Sequence, residues 1–170
     1  LASNPQCTPY DPASGDETRA IVLAGLHALY VDGRPGFYYL ALHDQDDGPG
    51  LTPQDRQDAI KGMYRIGREP PGELHVRLLG AGRALEEVLH AARLLETDWN
   101  VSAQLWSCPS YTRLAREARA AERWNRLHPT AKPRVPYVTE VTKDAPGVFV
   151  AASDYLKVLP DAVDQWLPKK

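Results

Sequence analysis

Long apolar runs are missing from these 170 residues. None approaches the roughly 20 consecutive apolar positions that a spanning helix needs, and no signal-peptide pattern opens the chain. Excess charge is missing too: a formal net charge of −2 provides no electrostatic basis for nucleic acid or an anionic membrane. No stretch interleaves basic and aromatic residues as a nucleic-acid surface would. Cysteine is scarce. Cys7 and Cys108 stand far apart and match no zinc or redox spacing, so reduced thiols in a cytoplasmic protein are expected. Internal repeats and low-complexity segments are absent. What remains is 43% hydrophobic, enough for a buried core, in a length that suits one ordinary domain or two incomplete pieces. The chain opens at Leu1 without Met, which suggests a trimmed chain, a proteolytic piece, or a chain lacking its disordered ends.

The residues present read as alternating helix and strand. Pro5, Pro9 and Pro12 make residues 1 to 13 an expected loop. Ser14 and Glu17 have capping-box spacing. Ala20, Ile21, Ala24, Leu26, Ala28 and Leu29 then make a helix that is apolar around most of its girth, hence expected to be well buried. Asp32-Gly33-Arg34-Pro35 stops it. Phe37 to Leu42 is a near-continuous apolar run, the pattern of a strand covered on both faces. Residues 48 to 71 read as a connection with its own helix. Thr52 can cap it, Pro53 suits its first position, and Ala59, Ile60 and Met63 share a stripe. Tyr64 to Ile66 is a candidate short strand, and Pro70-Pro71 marks a domain boundary near residue 71.

Beyond that boundary the order is βαβα. A strand runs through Leu74, Val76, Leu78 and Leu79, and Gly80-Ala81-Gly82 turns it into a helix with Leu85, Val88, Leu89, Ala92 and Leu95 on one face. Val101 to Trp106 is the next strand and Tyr111 to Leu127 the next helix. Tyr137 to Thr142 and Val148 to Ala151 are expected strands, and helix is expected from Asp154 to Trp166. Strands separated by helices need crossovers, so the fold class is α/β: a mainly parallel sheet with flanking helices.

Sites of chemistry are harder to find. Gly80-Ala81-Gly82 follows a strand and opens a helix, the setting of a dinucleotide fingerprint, but the third glycine is missing. A tight turn is a better reading than nucleotide binding, and the helix N-terminus, assisted by Arg83, still suits an anion. His43-Asp44-Gln45-Asp46-Asp47-Gly48 has the wrong spacing for a calcium loop and reads as a solvated acidic turn. The five histidines show no pair at the spacing of a zinc helix. Of these, His27 is expected to be packed or edge-capping, His75 to point outward from its strand, and His90 to lie on the polar side of its helix. Cys108-Pro109-Ser110 sits at a strand end, where α/β sheets place functional loops, but no base can be assigned to it. No catalytic, cofactor or metal residue is therefore assigned.

One polar corner stands out. A helix carrying Trp124 and Leu127 runs into Pro129, and a basic, proline-rich link delivers the chain to an apolar segment, Val135 to Val141, expected to be a strand. Arg123, Trp124, Asn125, His128, Arg134 and Tyr137 are its candidate interface or structural residues. A stiff corner pinned by side-chain hydrogen bonds is the simplest reading. His128 is the best placed of the six for a structured polar contact, at a subunit interface rather than in proton transfer.

The stretch Arg123-Trp124-Asn125-Arg126-Leu127-His128-Pro129 with Pro133-Arg134-Val135-Pro136-Tyr137-Val138 resembles the C-terminal region of the homodimer-type pyruvate dehydrogenase component, an acetyl-transferring, thiamine-diphosphate-dependent member of the transketolase family. Val101-Ser102-Ala103, Leu105-Trp106-Ser107 and Ser110-Tyr111-Thr112-Arg113-Leu114 resemble it as well, as do Asp144-Ala145-Pro146-Gly147 and Ala151 to Lys157. The resemblance runs strongly over residues 72 to 168 and more loosely over 4 to 43. It implies that residues 1–47 end a pyrimidine-binding domain, leaving a helix-strand remnant, that 48–71 connect, and that 72–170 form a transketolase C-terminal-like domain. At residues 44 to 47 the family's Asn-Glu-Asn-Tyr is replaced by Asp44-Gln45-Asp46-Asp47, which puts any contact made there in doubt.

The implied activity is oxidative decarboxylation of pyruvate with acetyl transfer to lipoyl groups, in an enzyme using thiamine diphosphate and magnesium. The family's diphosphate-binding segment, its active-site histidine and glutamate segments and its Gly-Thr-Asp-Gly-Phe-Gly-Arg segment have no counterpart here. The chain alone is thus expected to hold no cofactor and to be inactive, because in such enzymes the protein's part is to position the cofactor. Its implied partners are the rest of the enzyme, or a subunit carrying the diphosphate domain, and further copies of itself. A lipoyl acyltransferase is a further candidate. Two alternatives stand beside this: a subunit of a split thiamine-dependent carboligase, and a non-catalytic assembly or regulatory module.

Overall fold

Two parallel β-units meet along one seam, and the strand ends of both face it. The computed structural model describes residues 3–44, 47–48, 50–67, 75–145 and 147–168. The expected boundary at Pro70-Pro71, the strand position Leu74, and Gln45 and Asp46 of the expected acidic turn lie outside them.

The first unit is strand β1 (Cys7–Tyr10), helix α1 (Gly15–Leu26) and strand β2 (Phe37–Leu40), with β1 and β2 paired in parallel. Residues 1 to 13 are therefore not simply a loop. Pro9 is tolerated because β1 lies at an edge of a two-stranded sheet, where a missing N–H breaks no ladder bond. Ser14 caps α1 by accepting from the Glu17 amide. The Glu17 carboxylate reaches back to the Ala13 amide at 2.7 Å, one residue short of the usual capping box. A π-helical turn, His27–Val31, ends the helix.

Two expectations fail in this unit. The helix is not well buried, because Val22, Leu23 and Leu26 face outward. Strand β2 alternates between exposed and half-buried positions, so only one face is covered. The helix over Tyr111–Leu127 touches β1 and the helix over Pro53–Lys61 touches α1, yet Leu23, Leu26, Phe37 and Tyr39 stay exposed. His27 is exposed rather than packed, with Nδ1 3.3 Å from the Asp32 carboxylate.

The second unit holds the larger core. Helix α2 (Pro53–Lys61) carries the expected Thr52 cap, here a full capping box with Asp55, and leads to the short strand β3 (Tyr64–Ile66). Strands β4 (His75–Gly80), β5 (Ser102–Ser107) and β6 (Val148–Ala152), with helices α3 (Ala84–Trp99) and α4 (Tyr111–Leu127), complete it. The strand order is β3-β5-β4-β6, with only β3 antiparallel. This is the expected mainly parallel α/β sheet with flanking helices.

Alternation along the strands divides the core. Leu78 joins Leu85 and Val88 of α3, while Leu79 and Trp106 join Tyr111, Leu114, Ala115 and Ala118 of α4 on the other side. Of the strand histidines, His75 is half-buried rather than pointing freely outward. His90 lies exposed on α3, as its position on the polar side predicts.

Two expected elements change type. Tyr137 to Thr142 is a helix, α5, not a strand. Pro136 precedes it with φ −56°, an angle fixed by its ring. Val138 and Thr142, four apart, are both buried and linked by a 2.6 Å bond from the Thr142 hydroxyl to the Val138 carbonyl. Burial at i and i+4 suits a helix, and here it overrides the β-branched composition. The expected helix over 154–166 shrinks to α6 (Val158–Asp161) and one 3-10 turn, Asp164–Trp166. Pro160 lacks an amide to extend the helix, and Trp166 instead anchors the segment through its indole N–H on Glu122 at 2.7 Å.

Candidate functional site

The seam between the units is built by backbone. The Asp11 amide donates to the Pro109 carbonyl at 2.7 Å, and the Asp11 carbonyl accepts from the Gly82 amide at 3.0 Å. The Ser110 hydroxyl donates to the Pro9 carbonyl at 2.6 Å. The chain after β1 is thereby sewn to the turns that follow β4 and β5. These are the carboxyl ends of parallel strands, where α/β sheets place ligands.

Gly82 explains the fate of the glycine turn. Its φ is +51°, and a Cβ there would lie 2.2 Å from Asp11 Oδ1, so only glycine fits. The turn is tight, as the missing third glycine implies, and the anion packed against it belongs to the chain itself. A dinucleotide phosphate has no room.

Above this turn lies a cleft of about 260 Å3, walled by Tyr10, Tyr39, Tyr111 and Tyr155, with Asp11 and Ser153 among its polar groups. Burial, opposed by His43 and reinforced by Asp154 and Glu17, pushes the Asp11 carboxyl up to about 6. Burial pushes the Tyr10 phenol up to about 12. The Cys108 thiol is fully buried and is likewise raised by burial, so this cysteine is an inert core residue rather than a nucleophile.

Beneath the cleft, Glu17 is fully buried. Its Oε1 accepts from Tyr64 at 2.8 Å and from Ser107 at 2.6 Å, and its Oε2 from the Ala13 amide. One side chain on α1 thus ties the first unit to β3 and β5 of the second. Desolvation raises its pKa, against the lowering effect of the Ser107, Ala13 and Tyr64 donors. Sequence reasoning treated Glu17 only as a cap and passed over Asp11. The signal for Glu17 was legible: it shares a helical stripe with Ala20 and Ile21, where a solvated carboxylate would be out of place.

The polar corner lies elsewhere, at the far end of α4. His128 stacks on Trp124 with ring centroids 4.4 Å apart, and the Arg134 guanidinium lies 4.1 Å from the Trp124 ring centre. Asn125 donates to the Arg134 carbonyl at 2.9 Å and accepts from its amide at 2.8 Å. Tyr137 is not part of this cluster. Its amide donates to Glu117 and its hydroxyl to the Met63 carbonyl, each at 2.9 Å. Arg123 is exposed on α4.

The cofactor implied by resemblance can be tested against these groups. A diphosphate with its metal needs cationic groups and a cluster of hard ligands. The cleft instead offers Asp11 and tyrosines. Among the described residues no three His, Cys, Asp or Glu side chains are grouped to hold a metal ion. The cleft residues do not fit thiamine diphosphate.

Residues 62–167 match the family model of the transketolase-like TK C-terminal domain. The chain belongs to that family. Pyruvate dehydrogenase E1 component sequences are similar along its whole length. That of Cupriavidus necator is 37% identical over 99% of this chain and 19% of the relative; that of Escherichia coli K12 is 36% identical over 96% and 18%. The chain thus spans about a fifth of the length of these relatives. A transketolase variant from Pichia stipitis, solved with xylulose-5-phosphate, superposes with a TM-score of 0.59 at 16% identity, covering 95% of this chain and 23% of that one. At this identity the likeness establishes the shared fold. Among the described residues of this transketolase-like chain, no helix is long and apolar enough to cross a membrane.

Proposed function

We propose that this chain is part of a pyruvate dehydrogenase E1-type enzyme, where it supplies domain packing and subunit surface. The carrying observation is 37% identity to an E1 component over 99% of the chain, a match that spans both of the units that Glu17 joins. In this reading residues 1–47 end the pyrimidine-binding domain, 48–71 connect, and 72–170 are the C-terminal domain. The whole enzyme decarboxylates pyruvate oxidatively in the cytoplasm and passes acetyl groups to the lipoyl groups of an acyltransferase. Thiamine diphosphate and magnesium are held by parts of the enzyme other than the residues described above. Arg123, Trp124, Asn125, His128 and Arg134 serve the subunit-facing corner, an assignment supported by the pre-ordered stack of His128 and Arg134 on Trp124, while Tyr137 has a structural role on Met63 and Glu117.

Replacing the matched segment of the Cupriavidus necator E1 component with these residues tests the proposal. The expected chimera forms the parent's assembly and reduces ferricyanide with pyruvate when cofactor and magnesium are supplied. A soluble, correctly assembled chimera that stays silent beside an active parent would overturn it. So would turnover of a 2-oxo acid by the isolated chain.

A further inference from the structure

We propose that the cleft at the seam is a binding site for a small planar nitrogen heteroaromatic ring carrying an N–H donor. Such a site goes beyond the reading above, since packing and subunit contact do not require it. Four tyrosines line it beside Leu156, Val158 and Leu159: Tyr10 and Tyr39 from the first unit, Tyr111 at the start of α4, and Tyr155 after β6. Flat apolar walls of this kind select rings by offset or edge-to-face contact. At about 260 Å3 the space sits at the small end of ligand pockets, which suits one or two fused rings and no longer chain.

The polar group that fixes orientation is Asp11. Its amide and carbonyl are spent on Pro109 and Gly82, which hold the residue rigidly, and no described side chain donates to its carboxylate. That leaves an acceptor on the cleft wall without a donor. No lysine or arginine lines the cleft, and Asp154 and Glu17 add negative field at Asp11 while His43 opposes it. Anionic ligands are therefore excluded, and an N–H donor is selected over an acceptor. Burial of the hydrogen-bonded pair makes the donor count for more than it would in water.

Indole and benzofuran have the same shape and differ only in the N–H, so they isolate this term. Titrating each into the isotopically labelled chain at pH 7.5, followed by amide NMR, is expected to move Tyr10, Gly82, Tyr111 and Tyr155 saturably with indole. Benzofuran should bind about fivefold more weakly, the worth of one net hydrogen bond. Asp11→Ala should erase that difference, and Tyr155→Ala, at an exposed wall position, should weaken both rings alike. Equal affinities for indole and benzofuran in the unsubstituted chain, shifts confined to other surfaces, or no saturable shift would each overturn the site. If Asp11→Ala fails to fold, the indole–benzofuran pair and Tyr155→Ala still decide it.

Discussion

The two units have similar apolar content and opposite fates. In the first, Leu23 and Leu26 remain 61% and 48% exposed; in the second, Leu79 and Leu114 are 1% exposed. The second unit has a helix layer on each face of its sheet and closes its own core. The first has α1 against its two strands, and among the described residues α4 reaches β1 but leaves Phe37 and Tyr39 of β2 exposed. An apolar helix face left open in this way is a surface made for covering. This agrees with a chain that spans about a fifth of its relatives.

The largest expected effect tests the closed core. Leu79→Ala should cost about 2–5 kcal/mol of unfolding free energy, because the packed α4 side cannot collapse into the space. Denaturant titration measures it, and a loss below about 1 kcal/mol would mean that this core is looser than its burial implies.

Next in size is the tie between the units. Glu17→Ala strands the Tyr64 and Ser107 hydroxyls and the Ala13 amide, and should cost about 2–3 kcal/mol. Protection of β1 and α1 amides from hydrogen exchange should fall before that of β4 and β5. Equal loss in both units would show that they unfold as one body and would blunt the comparison.

The same carboxyl gives a pH dependence. Burial raises its pKa, so the folded state holds the proton to higher pH than the unfolded chain. Its stabilisation is fully present below the ordinary glutamate value of about 4.3 and is lost as pH rises through the folded value. Glu17→Gln removes that slope, so its stability relative to the unsubstituted chain should grow as pH rises from about 4.3. A pH-independent difference would contradict the raised value.

Smaller changes belong to the surface. Trp124→Ala removes the stacks with His128 and Arg134 and should cost about 1 kcal/mol, as exposed cation–π contacts are modest. If the corner faces a subunit, the same change should also weaken assembly of the full enzyme in sedimentation runs. Leu23→Ser with Leu26→Ser should alter stability least, within about 0.5 kcal/mol. The unsubstituted chain is expected to self-associate at high concentration through this face, and light scattering should show the double variant more monomeric.

Where local pattern and tertiary packing agree, the sequence was readable. The Thr52 cap, the stop of α4 before Pro129, the Gly80–Gly82 turn and the divided stripes of β4 and α3 all follow from neighbours in the chain. Where distant contacts decide, it was not. Tyr137 to Thr142 carries strand-forming residues, yet the buried positions left by α4 lie one helical turn apart. Pro9 reads as loop, yet an edge position admits it to a strand. The corner at Trp124 was visible because its partners lie within ten residues of one another.

By itself the sequence determined the α/β alternation and the kinship with the transketolase C-terminal family, because periodicity, caps and motif strings are local properties of the chain. Only the tertiary structure decided that Asp11 lies against Gly82 and that Glu17 is sealed between Tyr64 and Ser107. Those pairings join residues dozens of positions apart, and the cost of burying a carboxylate is set by what the fold places around it.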